Sequence, residues 1–326
     1  MQDHLAMNRL IPKESLPNSL WNKRDATLSL PPQLVSNWKA LLIKYQLMDR
    51  AVQKAPKGFV GGMSKEDTDN HLAWRFTGSA ARVMLSILDP HEEMIEISDA
   101  FARIFSGNKV LLADLPCGSG AGSISILSVF CELRKQGRIP RMPLEIIIVG
   151  GEISGYARDY ACEAINALQT DLEDQAIEVS FEAMNWDVCD RFSNTDLIKR
   201  LTVKSQACSG RLVLLANFSG FLQRNGKWKD ASKQFDELFR HCRDENSTAL
   251  WIEPNTNAVT NNSGSFMPRL IQWFRDKFSF VQPWKKADDE HTYAKSEAEV
   301  KHPLNEGKFK TKLVVFRFDL PKNANS

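Results

Sequence analysis

A cluster of small residues between a predicted strand and a predicted helix is the first place where this sequence could do chemistry. The stretch ADLPCGSGAGS runs from Ala113 to Ser123 and continues the apolar run KVLLAD. Such a loop places backbone N–H groups at a helix N-terminus, beside the carboxyl edge of a parallel sheet, where open α/β folds bind ligands. Gly118 and Gly120 would let the main chain approach a ligand closely. The alternative is an ordinary strand-to-helix turn that uses glycine for geometry alone.

Three kinds of nucleotide site compete for this loop. A Walker A loop needs Lys and then Ser or Thr after its last glycine, whereas Gly122 is followed by Ser123 and Ile124, so a P-loop NTPase is excluded. A dinucleotide site needs G-x-G-x-x-G, and here a serine replaces the third glycine. It also expects an acid about 20 residues further on, whereas the nearest strand-end candidate, Glu152, lies considerably later. A NAD(P)-dependent oxidoreductase is therefore the weakest of the alternatives.

The third interpretation starts from Asp114, the acid that ends the first strand of this region. LLADLPCGSGAGS resembles motif I of the class I S-adenosylmethionine-dependent methyltransferases, in which a strand ends in an acid and continues into a D/E-x-x-x-G-x-G loop. The resemblance implies S-adenosyl-L-methionine as the cofactor. It implies that Asp114 organises the ammonium group of the cofactor, and that Pro116, Gly118 and Gly120 form the loop around it.

Later strand ends carry further residues that match the family in chain order. LEIIIVGGE ends in Glu152, which matches the acid that accepts both ribose hydroxyls, a role that suits a carboxylate. MNWDV supplies Asp187, which matches the acid near the adenine amino group, and Trp186, which could pack on the ring. RLVLLAN ends at Asn217, where the family faces the methyl donor and the acceptor. The predicted cofactor-binding residues are Asp114, Pro116, Gly118, Gly120, Glu152, Trp186, Asp187 and Asn217.

Each of the later positions also has a purely structural interpretation. Glu152 could pair with the dipole of the following helix. The NWD segment could be an Asx turn around Asp187, and Trp186 could be a core residue. Asn217 could satisfy a loop backbone at the end of its strand.

The methyl acceptor is not defined by any motif, and Asn217 is the one weak catalytic candidate. The segment ANFSGFL lacks the paired prolines that amino-methyltransferases acting on adenine or cytosine carry at this position. The segment EPNT, residues 253–256, faintly resembles the E-P-G-T of ribosomal small-subunit-associated methyltransferase-like proteins, although their cysteine-rich metal-binding segment is absent. RNA or a small molecule is the favoured acceptor. A catalytically inactive methyltransferase-like module that binds the cofactor or a partner stays open.

The pattern of apolar runs predicts an α/β fold that would position these residues. After residue 106, short β-branched runs alternate with amphipathic stretches, which predicts a Rossmann-like, seven-stranded, mostly parallel sheet with an antiparallel last strand and helices on both faces. The predicted strands are KVLLAD, LEIIIVGG, IEVSFEAMN, RLVLLAN, TALWIEP, FSFVQPW and KLVVFRFDL. The polar stretch 285–312 is predicted to be a solvated, unstructured hairpin.

The first hundred residues are predicted to be mainly helical. Apolar residues recur at helical spacing after a proline pair at 31–32, and Ser64 and Asp67 form a capping-box pattern. We predict a helical cap region over residues 1–105 and a methyltransferase-like domain over 106–326. Trp74, Arg75 and Arg82 could line an acceptor pocket beneath the cap, and a protein partner could bind through its helices.

Composition narrows the class of protein. The chain has 326 residues, 43% of them hydrophobic, which is enough to bury a full core. Its 42 basic and 40 acidic residues nearly balance, so whole-chain charge does not favour nucleic acid. Six scattered cysteines without a CxxC pair predict reduced thiols and no metal site. Without a leader pattern or an apolar run of about 20 residues, we predict a cytoplasmic protein that does not associate with membranes.

Overall fold

The computed structural model describes residues 9–56, 62–223, 226–260, 265–277 and 293–321. These residues form one mixed sheet of nine strands. The strands are β1 (Trp21–Asn22), β2 (Thr27–Leu28), β3 (Lys109–Asp114), β4 (Leu144–Glu152), β5 (Ile177–Asn185), β6 (Gly210–Ala216), β7 (Ser247–Pro254), β8 (Ala294–Lys301) and β9 (Lys308–Asp319). Their order across the sheet is β1-β2-β8-β9-β7-β6-β3-β4-β5.

The strands β3 to β7 form a parallel unit with the strand order of a Rossmann fold. β3 pairs in parallel with β4 and β6, β4 with β5, and β6 with β7. Counted from β3, the order is 3-2-1-4-5, as in dinucleotide-binding folds. β9 then adds antiparallel to β7, and β8 adds antiparallel to β9. The Rossmann-like, mostly parallel sheet predicted from the sequence is therefore confirmed.

The predicted count of seven strands is wrong in detail. The N-terminal hairpin β1–β2 extends the sheet, because β2 pairs in parallel with β8. The antiparallel last strand, β9, lies between β7 and β8 rather than at an edge. The predicted strand FSFVQPW, residues 278–284, lies outside the described residues.

Strand β8 also corrects the prediction that residues 285–312 are unstructured. Within that stretch the described part begins at residue 293, and β8 follows almost at once. Its inward positions alternate with exposed charged residues, as a strand with one buried face requires. The inward residues are mostly Ala and Ser. The two-residue period therefore shows little hydrophobic contrast, and the sequence pattern does not predict a strand here. Outward, Glu297 forms ion pairs with Lys310 and Lys312 on β9.

Helices cover both faces of the sheet. The described helices are α1 (Pro32–Lys44), α2 (Met48–Val52), α3 (Lys65–Trp74), α4 (Phe76–Leu88), α5 (Ile95–Phe105), α6 (Ala121–Lys135), α7 (Gly155–Asn166), α8 (Gln169–Glu173), α9 (Arg191–Ser205), α10 (Ser219–Leu222), α11 (Trp228–His241), α12 (Asn257–Thr260) and α13 (Phe266–Lys277). One apolar core joins the sheet to α1 and α4–α7, and a second core on the opposite face joins it to α9, α11 and α13.

The N-terminal region is helical as predicted, with the addition of β1 and β2. Ser64 is the N-cap of α3 as its capping pattern predicts, because the Ser64 hydroxyl accepts a hydrogen bond from the Asp67 N–H at 3.1 Å. The helix α4 packs on α6 and β9, so N-terminal residues share one core with the sheet. The boundary at residues 105 and 106 stays a prediction. Among the described helices, none is both long and apolar enough to cross a membrane.

Candidate functional site

The loop between β3 and α6 is built by backbone hydrogen bonds. The Cys117 N–H donates to the Gly151 carbonyl on β4 at 3.0 Å, and the Gly120 N–H donates to the Cys117 carbonyl at 2.8 Å. Gly118 has φ +52° and Gly120 has φ +84°, which is the left-handed region that favours glycine. The Leu115–Pro116 peptide bond is cis. The loop therefore closes against β4 and delivers the chain to the first turn of α6 at the carboxyl edge of the sheet.

Asp114 is buried behind this loop and anchors the helix that follows. Its Oδ2 accepts hydrogen bonds from the Ser123 N–H at 3.0 Å and the Ser123 hydroxyl at 2.7 Å. Burial raises the pKa of Asp114 to about 6, opposed by the two bonds from Ser123, and the charge of Glu152 adds to the rise. The structure thus places Asp114 within electrostatic reach of Glu152. Its contact with the ammonium group of a cofactor stays a prediction.

Glu152 at the end of β4 lies against the glycine loop, and the two predicted site features meet there. Its Oε2 accepts a hydrogen bond from the Gly118 N–H at 3.2 Å, and its Oε1 accepts one from the Ser154 N–H at 2.8 Å. The side chain is 9% exposed. Burial raises the pKa of Glu152, while the backbone donors oppose that rise. Each carboxylate oxygen can accept a second hydrogen bond, so the group can still receive the two hydroxyls of a diol.

Two further observations at the loop suit a bound ligand. The hydroxyl of Ser119 is buried and has no hydrogen-bond partner among the described residues. Such unsatisfied buried groups are rare, and many occur where a ligand or water completes them. Beside it, a Cβ placed on Gly118 would meet no atom within 4 Å among the described residues. The loop thus offers an unpartnered polar group at Ser119 and open space at Gly118, which fits a polar cofactor with close backbone contact.

Trp186 and Asp187 follow β5, and the structure gives each a local partner. The indole N–H of Trp186 donates to Asn194 Oδ1 at 3.2 Å, and the ring packs among the aromatic side chains of the second core, with 2% exposure. Asp187 Oδ1 accepts a hydrogen bond from the Cys189 N–H at 2.9 Å, which is the Asx turn considered above. These placements favour packing for Trp186 and a turn for Asp187, and their contacts with adenine stay predictions.

Asn217, after β6, contacts the N-terminal helices. Its backbone has φ +59°, and its Oδ1 accepts a hydrogen bond from Arg82 Nε at 2.7 Å. Arg82 lies on α4, 135 residues away in the chain. The contact places a cation from the predicted cap beside the predicted acceptor position. That Arg82 lines an acceptor pocket there stays a prediction.

Glu253 on β7 organises the turn that carries Asn217. The side chain is fully buried. Its Oε1 accepts hydrogen bonds from the backbone N–H of Phe218 and of Ser219, at 2.9 and 2.8 Å, and from the indole N–H of Trp251 at 2.9 Å. Its Oε2 accepts the Ser219 hydroxyl at 2.7 Å. Burial raises the pKa of Glu253, and these donors oppose the rise. The EPNT segment drew attention to Glu253 in the sequence. The structural role of Glu253 depends on hydrogen-bond partners in the loop after β6, which the sequence alone does not reveal.

His71 is the site residue that the sequence did not suggest. Burial lowers its pKa to about 4, and the charges of Arg75 and Arg82 lower it further, so the imidazole is neutral at neutral pH. A lone histidine inside a polar helical segment carries no local signal of this environment. Within the described residues, no group of three His, Cys, Asp or Glu side chains could hold a metal ion.

Comparison with known proteins returns distant structural likenesses. No family model matches the chain, and no curated protein matches it. A structure described as a putative class I S-adenosylmethionine-dependent methyltransferase from Listeria monocytogenes shares 9% identity, covers 90% of this chain and 70% of its own, and has a TM-score of 0.38. A second, reported under "Conversion of a Disulfide Bond into a Thioacetal Group during Echinomycin Biosynthesis", shares 12% identity over 67% of this chain and 78% of its own, with a TM-score of 0.36. The functional assignment therefore depends on the strand order and on the side chains at the sheet edge.

Proposed function

We propose that this protein is an S-adenosyl-L-methionine-dependent methyltransferase. The observation that carries the proposal is the contact between Glu152 and the backbone of Gly118, with Asp114 buried behind the same loop. Two acids at this edge suit a ribose diol and an ammonium group, whereas the charge of Asp114 behind the loop would repel the pyrophosphate of NAD(P). The strand order of β3–β7 supports the proposal, because ligands of such sheets bind at the carboxyl ends of the strands.

Each of the site residues would contact a different part of the cofactor. Glu152 would accept the ribose hydroxyls, and Gly118 and Ser119 would contact the part of the cofactor that crosses the loop. Asp114 would favour the ammonium group through its charge, and Asp187 would lie toward the adenine. When bound, S-adenosyl-L-methionine would supply an electrophilic methyl group to a lone pair of the acceptor, with the C–S electron pair kept by sulfur and any acceptor proton released to solvent.

The protein's own contribution is alignment of the acceptor. His71 has a pKa of about 4, so this imidazole is not a strong base. Methyl transfer does not require one, because positioning of the acceptor in line with the methyl group can supply much of the rate. The buried Glu253 holds the Phe218–Ser219 turn rigid, and Arg82 fixes the Asn217 side chain.

Binding of the cofactor without turnover is the second candidate. It is favoured by the engagement of Asn217 Oδ1 by Arg82, which commits the one weak catalytic candidate to a contact within the protein. Transfer of a labelled methyl group from S-adenosyl-L-methionine to any fraction of a cell extract would exclude this candidate.

Calorimetry tests the proposal. We expect S-adenosyl-L-methionine to bind the wild-type protein and NADH not to bind. Glu152→Gln should weaken the affinity about tenfold, since it removes charged acceptance of the ribose hydroxyls. Glu145→Gln is the matched control, because Glu145 lies near the opposite end of the same strand and pairs with Lys109 at 2.7 Å. Equal affinities of the two variants, or no binding by the wild type, would remove the proposal.

A further inference from the structure

One face of α4 reaches the predicted acceptor position at Arg82. Arg75, Gly78 and Arg82 are spaced by three and four residues from the start of α4, so they lie along one face of that helix, and His71 lies on α3 just before the junction. Arg75 is the residue at which α3 ends and α4 begins. The face reaches the loop after β6 through the Arg82–Asn217 hydrogen bond.

Two arginines lie on this face, and Nη2 of Arg75 donates a hydrogen bond to the Pro56 carbonyl at 2.8 Å. Arg75 and Arg82 act on each other and on His71, which is neutral. Burial lowers the pKa of Arg82 to about 10, so its guanidinium stays charged at neutral pH. No carboxylate of the described residues lies within 4 Å of Arg82.

Glu253 is the acid whose charge acts on Arg82, and its oxygens are already engaged. Its two carboxylate oxygens accept four hydrogen bonds from the Phe218–Ser219 turn and Trp251. A poorly solvated cation is costly unless it is paired and hydrogen-bonded. The face therefore lacks an anion that would bond directly to the guanidinium of Arg82.

One nitrogen of the Arg82 guanidinium makes no hydrogen bond to a described residue. Nε donates to Asn217 and Nη2 contacts the Ser79 hydroxyl at 3.4 Å, whereas no hydrogen bond from Nη1 to a described residue is present. Nη1 lies beside Gly78, where even an added Cβ would stay at an ordinary van der Waals distance of 3.7 Å. A planar guanidinium can bind an oxyanion with two donors.

We propose that the methyl acceptor is a small molecule bearing a carboxylate or a phosphate, and that Arg82 binds this oxyanion next to Asn217. The proposal rests on the proposed function and names the acceptor class for the same site. A small acceptor is favoured over RNA because Arg82 is partly buried, while the chain as a whole is nearly neutral.

Protection of Arg82 from an arginine reagent tests the proposal without knowledge of the acceptor. The full chain, with S-adenosylhomocysteine present, is treated with phenylglyoxal in phosphate, in acetate or in chloride at equal ionic strength, and labelled arginines are mapped by mass spectrometry. We expect phosphate or acetate to slow labelling of Arg82 at least threefold relative to chloride. The ion that protects better identifies a phosphorylated or a carboxylated acceptor. Arg200, which pairs with Glu182 near the protein surface, is the internal control and should be unaffected.

Two variants of Arg82 test the same contact. Arg82→Met should weaken phosphate or acetate binding, measured by calorimetry, about tenfold, and Arg82→Lys should restore part of it because the charge remains. Equal labelling in all three salts overturns the proposal, as does protection by an RNA oligonucleotide when both ions fail. Binding of S-adenosylhomocysteine is measured separately. If S-adenosylhomocysteine binds and neither ion protects Arg82, only the acceptor inference fails. If an ion protects Arg82 but S-adenosylhomocysteine does not bind, the proposed function fails.

Discussion

The Glu152 carboxylate and the Gly118 backbone N–H are hydrogen-bonded at 3.2 Å, although the two residues are 34 positions apart in the chain. The bond ties the end of β4 to the loop that follows β3. Because the second oxygen of Glu152 is held by the Ser154 N–H at 2.8 Å, the carboxylate has a fixed orientation at the sheet edge. An acid held in this way is prepared to receive a diol without reorganisation.

Asp114 should make folding stability depend on pH. Its pKa is about 6 in the folded protein and 3.8 in the unfolded chain, so the folded state holds the proton more tightly. Stability from this group therefore falls as pH rises from about 4 to about 6 and stays lower above that range. Asp114→Asn should remove this dependence and raise the free energy of unfolding near neutral pH by about 1 to 3 kcal/mol.

Urea unfolding of wild type and Asp114→Asn across this pH range measures the effect. The difference between the two curves is the informative quantity, because burial also raises the pKa of Asp89 to about 6 in both proteins. Parallel curves would contradict the placement of Asp114. Cofactor affinity should fall in the same variant, since the charge that favours the ammonium group is lost.

The two loop glycines should respond differently to substitution by alanine. At Gly120 a Cβ would lie 3.3 Å from Ala161 and the φ is positive, so Gly120→Ala should lower the free energy of unfolding by about 2 kcal/mol. At Gly118 the Cβ would enter open space, so the stability cost is limited to backbone strain of about 1 kcal/mol. Calorimetry with S-adenosyl-L-methionine should nevertheless show a larger loss of affinity for Gly118→Ala. The reverse order of affinities would show that the cofactor does not cross at Gly118.

Trp186 should contribute to stability more than to ligand affinity. Trp186→Phe removes the hydrogen bond to Asn194 and part of an aromatic cluster, so the free energy of unfolding should fall by about 1 to 3 kcal/mol. The folded variant should bind S-adenosyl-L-methionine with an affinity close to that of the wild type. A tenfold loss of affinity at unchanged stability would instead assign Trp186 to the adenine ring.

Glu253 should be among the most sensitive positions of the site for stability. Glu253→Ala leaves the N–H groups of Phe218, Ser219 and Trp251 buried without an acceptor, and should cost about 3 to 5 kcal/mol. Glu253→Gln keeps one oxygen for these donors and should cost about 1 kcal/mol. Urea denaturation followed by tryptophan fluorescence measures both. Similar costs for the two variants would show that the donors find other partners.

The parts of the fold that the sequence predicted are those that local pattern determines. The parallel strands are continuous apolar runs because both of their faces are buried, and the Ser64 N-cap is a contact across three residues. Strand β8 was missed because Ala and Ser on its buried face give little contrast with the charged outer face. The strand ends that bear Asp114 and Glu152 could be aligned along one edge, since parallel neighbours end together.

The acceptor side of the site depends on contacts that no local pattern contains. The hydrogen bond of Arg82 to Asn217 spans 135 residues, and the donors to Glu253 come from a different strand end. The depressed pKa of His71 follows from its burial and its cationic neighbours, which only the folded chain brings together. The sequence therefore indicated a cofactor, whereas the contact of Arg82 with Asn217 emerged from the packing of α4 on the sheet.

The recognition of a ribose diol by Glu152 is the central claim, and one measurement tests it most directly. Calorimetry compares S-adenosylhomocysteine with its analogue that lacks both ribose hydroxyls, on wild type and on Glu152→Gln. We expect the wild type to bind the analogue at least about tenfold more weakly, and the variant to distinguish the two ligands by less than about threefold. An equal penalty for the missing hydroxyls in both proteins would contradict the account.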